Sequence, residues 1–376
     1  MRRLYLFAVL IFTCLCVRSQ DVNQSYTGSR GNDSIQAGSI YLKVDNNNFL
    51  KNNEFFNKYT EGFTYFGSMI QPEISYAFSD RTRLSVGWFL RYFYGRGNIT
   101  TSLPVFRFEY DIAPGAKVTF GQLDGLLAHK LIEPIYSYDN YFKRNPENGI
   151  QLSVDKARLH TSLWISWEHF ILPGENNKEE IMAGINGSWQ VFSFHGKNYL
   201  SLNLQGIIHH YGGQVINSDS PLQTRLNLAP GLEISCRPFQ LNKTRCILAS
   251  YLIQAADQSG TITIPYRKGW ASYSFVTIRH RSVSLSAALF HGEYYFAPLG
   301  DNLFQSISEL NNWYARDTRN LLNGKFTFDH KIARGVKIGI RFESYYDLEK
   351  KNVDFWYGMN IKTDAGWLLY PIRKKK

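Results

Sequence analysis

The side chains able to do chemistry are thinly spread, although nine histidines are present. His160, Ser162 and Glu168 fall on one face of an extended strand. A hydrolase needs a nucleophile hydrogen-bonded to a base, with a third group orienting that base. Residues two apart on a strand sit roughly 6–7 Å apart, too far for Ser162 to reach His160 without a neighbour's help. His209 and His210 are adjacent and point to opposite faces, so they cannot share a metal ion from a regular strand. Trp164, Trp167, Glu168 and His169 mix aromatic and polar character in a way that suits a sugar, but a tryptophan at a membrane interface accounts for the same mixture. No catalytic residue, metal site or cofactor is expected from these patterns, and the chain reads as no enzyme.

A second set of residues is charged. Arg83, Arg91 and Arg107 share a polar strand face with Glu109 and Asp111, and Lys325, Lys337, Arg341 and Lys362 do so with Glu343 and Asp354. Such a set could form a basic ladder guiding anions through a constriction, or a mixed lining of ordinary ion pairs. The net charge of +11 suits anionic partners.

Helices are not what positions these residues. Hydropathy alternates with period two from end to end, which is the signature of strands. Val336, Ile338, Ile340 and Phe342 oppose Lys337, Arg341 and Glu343, and the same alternation runs from Val353 to Lys362. About sixteen such strands, from one around Tyr41 to one around Tyr357, predict an all-β antiparallel sheet; fourteen is the alternative count. Short connections, such as Ala113–Gly115 and Ala333–Gly335, take turns with long ones: Asn46–Tyr59, Leu126–Asn148, Tyr211–Pro221, Ala256–Pro265 and Tyr294–Asn320. An up-and-down transmembrane barrel with short periplasmic turns and long external loops produces that rhythm. A soluble sandwich would give the same alternation, but a chain of this length would more often divide, and no linker marks a division.

Composition points the same way. Aromatic residues make up 15% of the chain, as girdles at two membrane interfaces require, while mean hydropathy is −0.29. The start, Arg2 and Arg3 before an apolar run from Leu4 to Cys16 and then Val17-Arg18-Ser19, reads as a secretory signal cleaved after Ser19. The expected organisation is therefore a signal over 1–19, a polar flexible segment over 20–36, a barrel over 37–370 and a basic periplasmic tail over 371–376. Cys236 and Cys246 flank a turn and could form a disulfide, or stay as two neighbouring thiols.

The segments NNEFFNKYTEGFTYFGSMIQPEISY and WISWEHFILPGENNKEE, with the alternation and aromatic girdles, resemble the porin-like outer-membrane barrels of Gram-negative, Bacteroidetes-type bacteria. Unlike many such barrels, this chain ends in lysines rather than an aromatic residue, so an insertion signal would either lie internally near Trp367–Tyr370 or be of a different kind. The resemblance implies an outer-membrane location, contacts with outer-membrane lipids and lipopolysaccharide, and a homotrimer as a common assembly. Passive diffusion of a small hydrophilic, preferably anionic solute is the expected function, and nothing calls for nucleic acid. The segment Leu126–Gly149 could fold inward as a constriction loop, setting Glu133 and Asp139 against the arginines, and FQSISELNNWYARD could form a short helix. The alternatives are a barrel that binds a ligand or partner through its external loops in uptake, surface assembly or secretion, and, behind it, an outer-membrane lipid hydrolase.

Overall fold

The structure, a computed structural model, describes residues 36–370 apart from 195–197, 214–220, 239–242 and 312–313. The expected signal, nearly all of the segment 20–36, the basic tail and Trp313 lie outside the described residues.

Sixteen strands form one closed barrel. They are β1 (Ile40–Glu54), β2 (Thr64–Ser79), β3 (Thr82–Phe93), β4 (Ile99–Ala113), β5 (Ala116–Gln122) and β6 (Asn148–Lys156). There follow β7 (Leu159–His169), β8 (Glu180–Phe194), β9 (Asn198–Tyr211), β10 (Gln223–Cys236) and β11 (Thr244–Asp257). The circuit ends with β12 (Lys268–His280), β13 (Val283–Glu293), β14 (Thr318–Ala333), β15 (Val336–Asp347) and β16 (Val353–Tyr370), which pairs antiparallel with β1. The count of sixteen holds, and every expected strand is present.

Alternation explains why the sheet closes this way up. In β2, Phe66, Ile70, Ile74 and Phe78 are exposed on the outer surface, while Tyr65, Met69, Gln71, Glu73 and Ser75 are buried inside. A charge on the lipid side would cost roughly 2–4 kcal/mol at the midplane, so the polar face turns inward. Two-residue turns at 80–81, 114–115, 157–158, 281–282 and 334–335 join strands at the end carrying both Ile40 and Tyr370. Short turns at one end and long connections at the other are the layout of a transmembrane barrel.

Two expectations fail locally. The stretch Asn46–Tyr59 was expected to be a loop, but β1 continues to Glu54, with Asn47, Lys51 and Asn53 buried inside. Its asparagines make both faces polar, so hydropathy carries no alternation there. The expected helix over FQSISELNNWYARD is not formed among the described residues. One 3-10 turn, Asn302–Phe304, precedes an isolated bridge between Ile307 and Ala315.

The lumen is filled. Residues 123–147 and 294–311 both fold into it and bury Ile135, Phe142, Tyr295, Phe296, Leu299 and Phe304 in the main apolar cluster. They also hold each other: Ser137 N donates to Leu299 O (2.6 Å), Tyr295 OH to Pro134 O (2.7 Å) and Asn140 Nδ2 to Leu299 O (2.8 Å). The first segment turns inward at Gly121 (φ 91°), where a Cβ would meet Phe106 O at 2.2 Å, and again at Gly125 (φ 89°). Only glycine adopts these angles without strain. A single helical turn, α1 (Asn140–Lys143), lies in the same segment.

Candidate functional site

The inward segment brings ionisable groups together against β7, β8 and β9. His129 Nε2 lies 2.6 Å from Glu147 Oε2, both side chains fully buried, and its ring stacks on Trp164 at 3.7 Å between centroids. Tyr136 OH donates to the other Glu147 oxygen at 3.0 Å. Burial pushes the Tyr136 phenol well above its ordinary range, and Glu147 and Glu168 add to this, so it remains a donor. Arg144, just after α1, bonds Glu180 at 2.7 Å and lies 3.7 Å from Glu168. Burial opposes its charge, but Glu180 and Glu168 more than offset this and hold the guanidinium protonated. Glu168 accepts from Ser166 Oγ at 2.8 Å. Glu180 also meets His209 Nε2 at 2.6 Å.

The result is a cluster of ionisable groups with a histidine–carboxylate dyad at each end. The inner dyad, His129–Glu147, is sealed, and Asn186 Nδ2 bonds the His129 carbonyl at 2.8 Å. The outer dyad, His209–Glu180, is partly open at the mouth, with side-chain exposures of 14% and 17%. Beside it Arg144 lines a cavity of about 700 Å³, together with Arg91, Lys143, Arg225, Asp139 and Asp301. Two smaller cavities deeper in the lumen measure about 100 and 140 Å³.

The charged residues singled out in the sequence do not form an unpaired ladder. Arg83, Arg107 and Lys117 all meet Glu109, and Arg107 also meets Asp124. Lys325 and Arg341 share Glu133 and Glu343. Arg91 bonds the carbonyls of Phe142 (2.7 Å) and Lys143 (3.2 Å), and Thr101 Oγ1 (2.6 Å). Glu133 and Asp139 do lie on an inward segment: Asp139 pairs with Lys51 and accepts from Asn53 at 3.1 Å. Asp354 caps the β1–β2 loop by accepting from Phe56 N at 2.6 Å, and Lys362 lines the cavity of about 100 Å³. Lys337 is half-buried, whereas Asp111 is exposed beside the β4–β5 turn. Cys236 and Cys246 stand directly opposite in the β10–β11 register, as thiols.

The histidines sort differently from their sequence neighbours. His160 pairs with Asp155 across the β6–β7 turn (2.6 Å), away from Glu168, and Ser162 accepts from Gln151 at 2.9 Å. His209 joins the buried chain, while His210 meets Thr224 at 2.9 Å. His129, Tyr136, Arg144, Glu147 and Glu180 carry no sequence signal: His129 and its carboxylate are 18 positions apart, with no regular period linking them.

This geometry defines a class: a porin-like outer-membrane barrel whose lumen is packed and whose main cavity opens at the mouth. The fold is similar to that of the loop L8 deletion mutant of OmpT, an outer membrane protein of Vibrio cholerae, at 11% identity and a TM-score of 0.51, covering 88% of this chain and 100% of that one. In-vitro folded OmpT gives 8% identity and a TM-score of 0.50, over 88% and 98% of the two chains. No curated protein matches the sequence. A family model described as Lipid A 3'-O-deacylase-type matches residues 32–372, and the chain belongs to that family. The expectation that the barrel is no enzyme is overturned by this match, because the family is described by an enzyme.

Proposed function

We propose that the protein hydrolyses an ester-linked acyl chain of a lipid A-type glycolipid in the outer membrane, using the polar chain at the barrel mouth. The observation that carries this reading is the family match across nearly the whole barrel. The geometry supplies a base. With Nε2–H of His209 donated to Glu180, Nδ1 faces the task of taking a proton from water. That water adds to the ester carbonyl, the carbon–oxygen bond to the sugar breaks, and the imidazolium returns its proton to the leaving alkoxide. Arg144, held protonated beside Glu180, is placed to stabilise the developing oxyanion. The inner dyad is fully buried and acts as an anchor of the inward segment.

A diffusion channel is less well supported. The likeness to OmpT concerns the fold alone, and below the mouth the inward segments pack the lumen around cavities of about 100 and 140 Å³. The refolded chain, incubated with lipid A in vesicles, is expected to lower the lipid's mass by one acyl chain. A folded barrel that leaves the lipid intact would remove the reading.

A further inference from the structure

The barrel wall is not equally tall all round. β5 and β6, with 7 and 9 residues, are the shortest strands, and they lie between β4, with 15, and β7, with 11. Pairing of β4 with β5 stops at Arg107↔Gly121, while pairing with β3 runs on to Tyr92↔Ile99. Residues 99–106 of β4 therefore have a strand partner on one side only. On the far side, β6–β7 pairing stops at Gly149↔Ser166, and Trp167 to His169 continue along β8 alone. The wall is notched over β5 and β6.

Three features say what the notch meets. Leu103 lies on the face of β4 that carries buried Val105 and Arg107, yet it is 40% exposed, so the inward segment does not cover this edge. Along the lower border Phe106, Phe120, Ile150 and Ile165 are all exposed on the outer surface, in one row continuous with the lipid-facing band. Pro104 sits in the one-sided stretch, the place in a sheet where a missing N–H costs nothing. Behind the gap lies the polar chain: Glu147 directly precedes β6, Glu168 tops β7, and Arg91 ties Thr101 of β4 to the carbonyls around Arg144. Arg91, Phe142 and Arg144 also line the mouth cavity, so notch and cavity adjoin.

We infer that a membrane lipid reaches the site sideways, its acyl chain entering through the notch between β4 and β7 while its polar head occupies the mouth cavity. This rests on the hydrolase reading for its chemistry, but not for its geometry. The route makes the substrate a lipid still seated in the outer leaflet, not a dispersed ester arriving from solution.

The test uses the full barrel with Cys236→Ser and Cys246→Ser, into which Leu103→Cys is introduced and labelled with a nitroxide. Folding is checked by heat modifiability, and Leu252→Cys serves as an outward-facing control. In vesicles the label at position 103 is expected to collide with oxygen as readily as the label at 252 and to be shielded from a water-soluble nickel chelate. Shielding from oxygen would overturn the inference. The labelled barrel is also expected to cleave vesicle-borne lipid A roughly tenfold more slowly, while cleaving a water-soluble short-chain ester at the unlabelled rate. Equal rates on vesicle lipid with and without label would overturn the lateral route and leave the hydrolase standing. If the unlabelled barrel cleaves neither substrate, the hydrolase reading fails, and the oxygen measurement still decides whether lipid fills the notch.

Discussion

The two halves of the lumen are built on different principles. Along β10–β13 many inward side chains are small or apolar: Ala229, Ala249, Ile253, Ala271, Tyr273 and Ala288 are nearly fully buried, and Tyr273 and Phe290 of this wall pack on Phe304 as a soluble core would. Along β14–β16 and β1–β5 the inward residues include the buried charges Lys325, Arg341, Lys51 and Arg107, which grip the inward segment through Glu133, Asp139 and Asp124. One wall holds the plug by area, the other by ion pairs. The candidate site lies at the edge of the charged half, where β7–β9 supply carboxylates and a histidine beside the notch over β5 and β6. Removing one member of a buried ion cluster leaves an uncompensated charge, whereas a well-packed apolar contact fails more gently.

Five changes sharpen this contrast, the largest first. His209→Ala is expected to reduce lipid hydrolysis about 10²–10⁴-fold, the usual worth of a general base. His129→Ala should instead act on folding, seen as lowered heat modifiability with kcat per folded molecule largely kept; the reverse pattern would exchange the roles of the two dyads. Glu133→Gln leaves Lys325, Arg341 and Glu343 with one acid too few, for a loss of about 3–5 kcal/mol. In planar bilayers the parent barrel should be silent and this variant should flicker open, while steady conductance from the parent would refute the packed lumen.

Asp301 gives a pH-dependent test on the external loop. Burial, and next the Asp139 carboxylate, push its carboxyl up to about 7, while its side chain caps Leu303 N. Because the folded value lies above the ordinary 3.8, its contribution to stability is full below that pH and is lost as pH rises through about 7. Thermal unfolding followed from acid to neutral should decline accordingly, and Asp301→Asn should flatten the decline; an unchanged slope would exclude Asp301 as its source. The smallest effect belongs to the apolar wall. Phe304→Leu is expected to cost under about 1.5 kcal/mol in unfolding experiments and to leave conductance silent.

Much of this architecture was legible in the sequence because lipid enforces it. An outward charge is costly, so β2, β15 and β16 announce both faces, and the strand count follows. β1 was misjudged beyond Asn46 because asparagines on both faces erase the contrast. Glu133 and Asp139 could be named as inward candidates from the length of their loop, but not their partners. Lys325 and Arg341 reach Glu133 across about two hundred residues of sequence, and no local pattern encodes such a contact. The site was hidden for the same reason. His129 and Glu147 meet only because Gly121 and Gly125 turn the chain into the lumen, and His160, which shares a strand with Glu168, bonds Asp155 instead.

Hydrolysis at the mouth is tested most directly by running the lipid A reaction in ¹⁸O-labelled water and weighing the released fatty acid. Water activated by His209 should leave one heavy oxygen in that acid and none in the deacylated glycolipid. A folded barrel that releases no fatty acid, or passes the acyl chain to another acceptor without taking up label, would contradict the account.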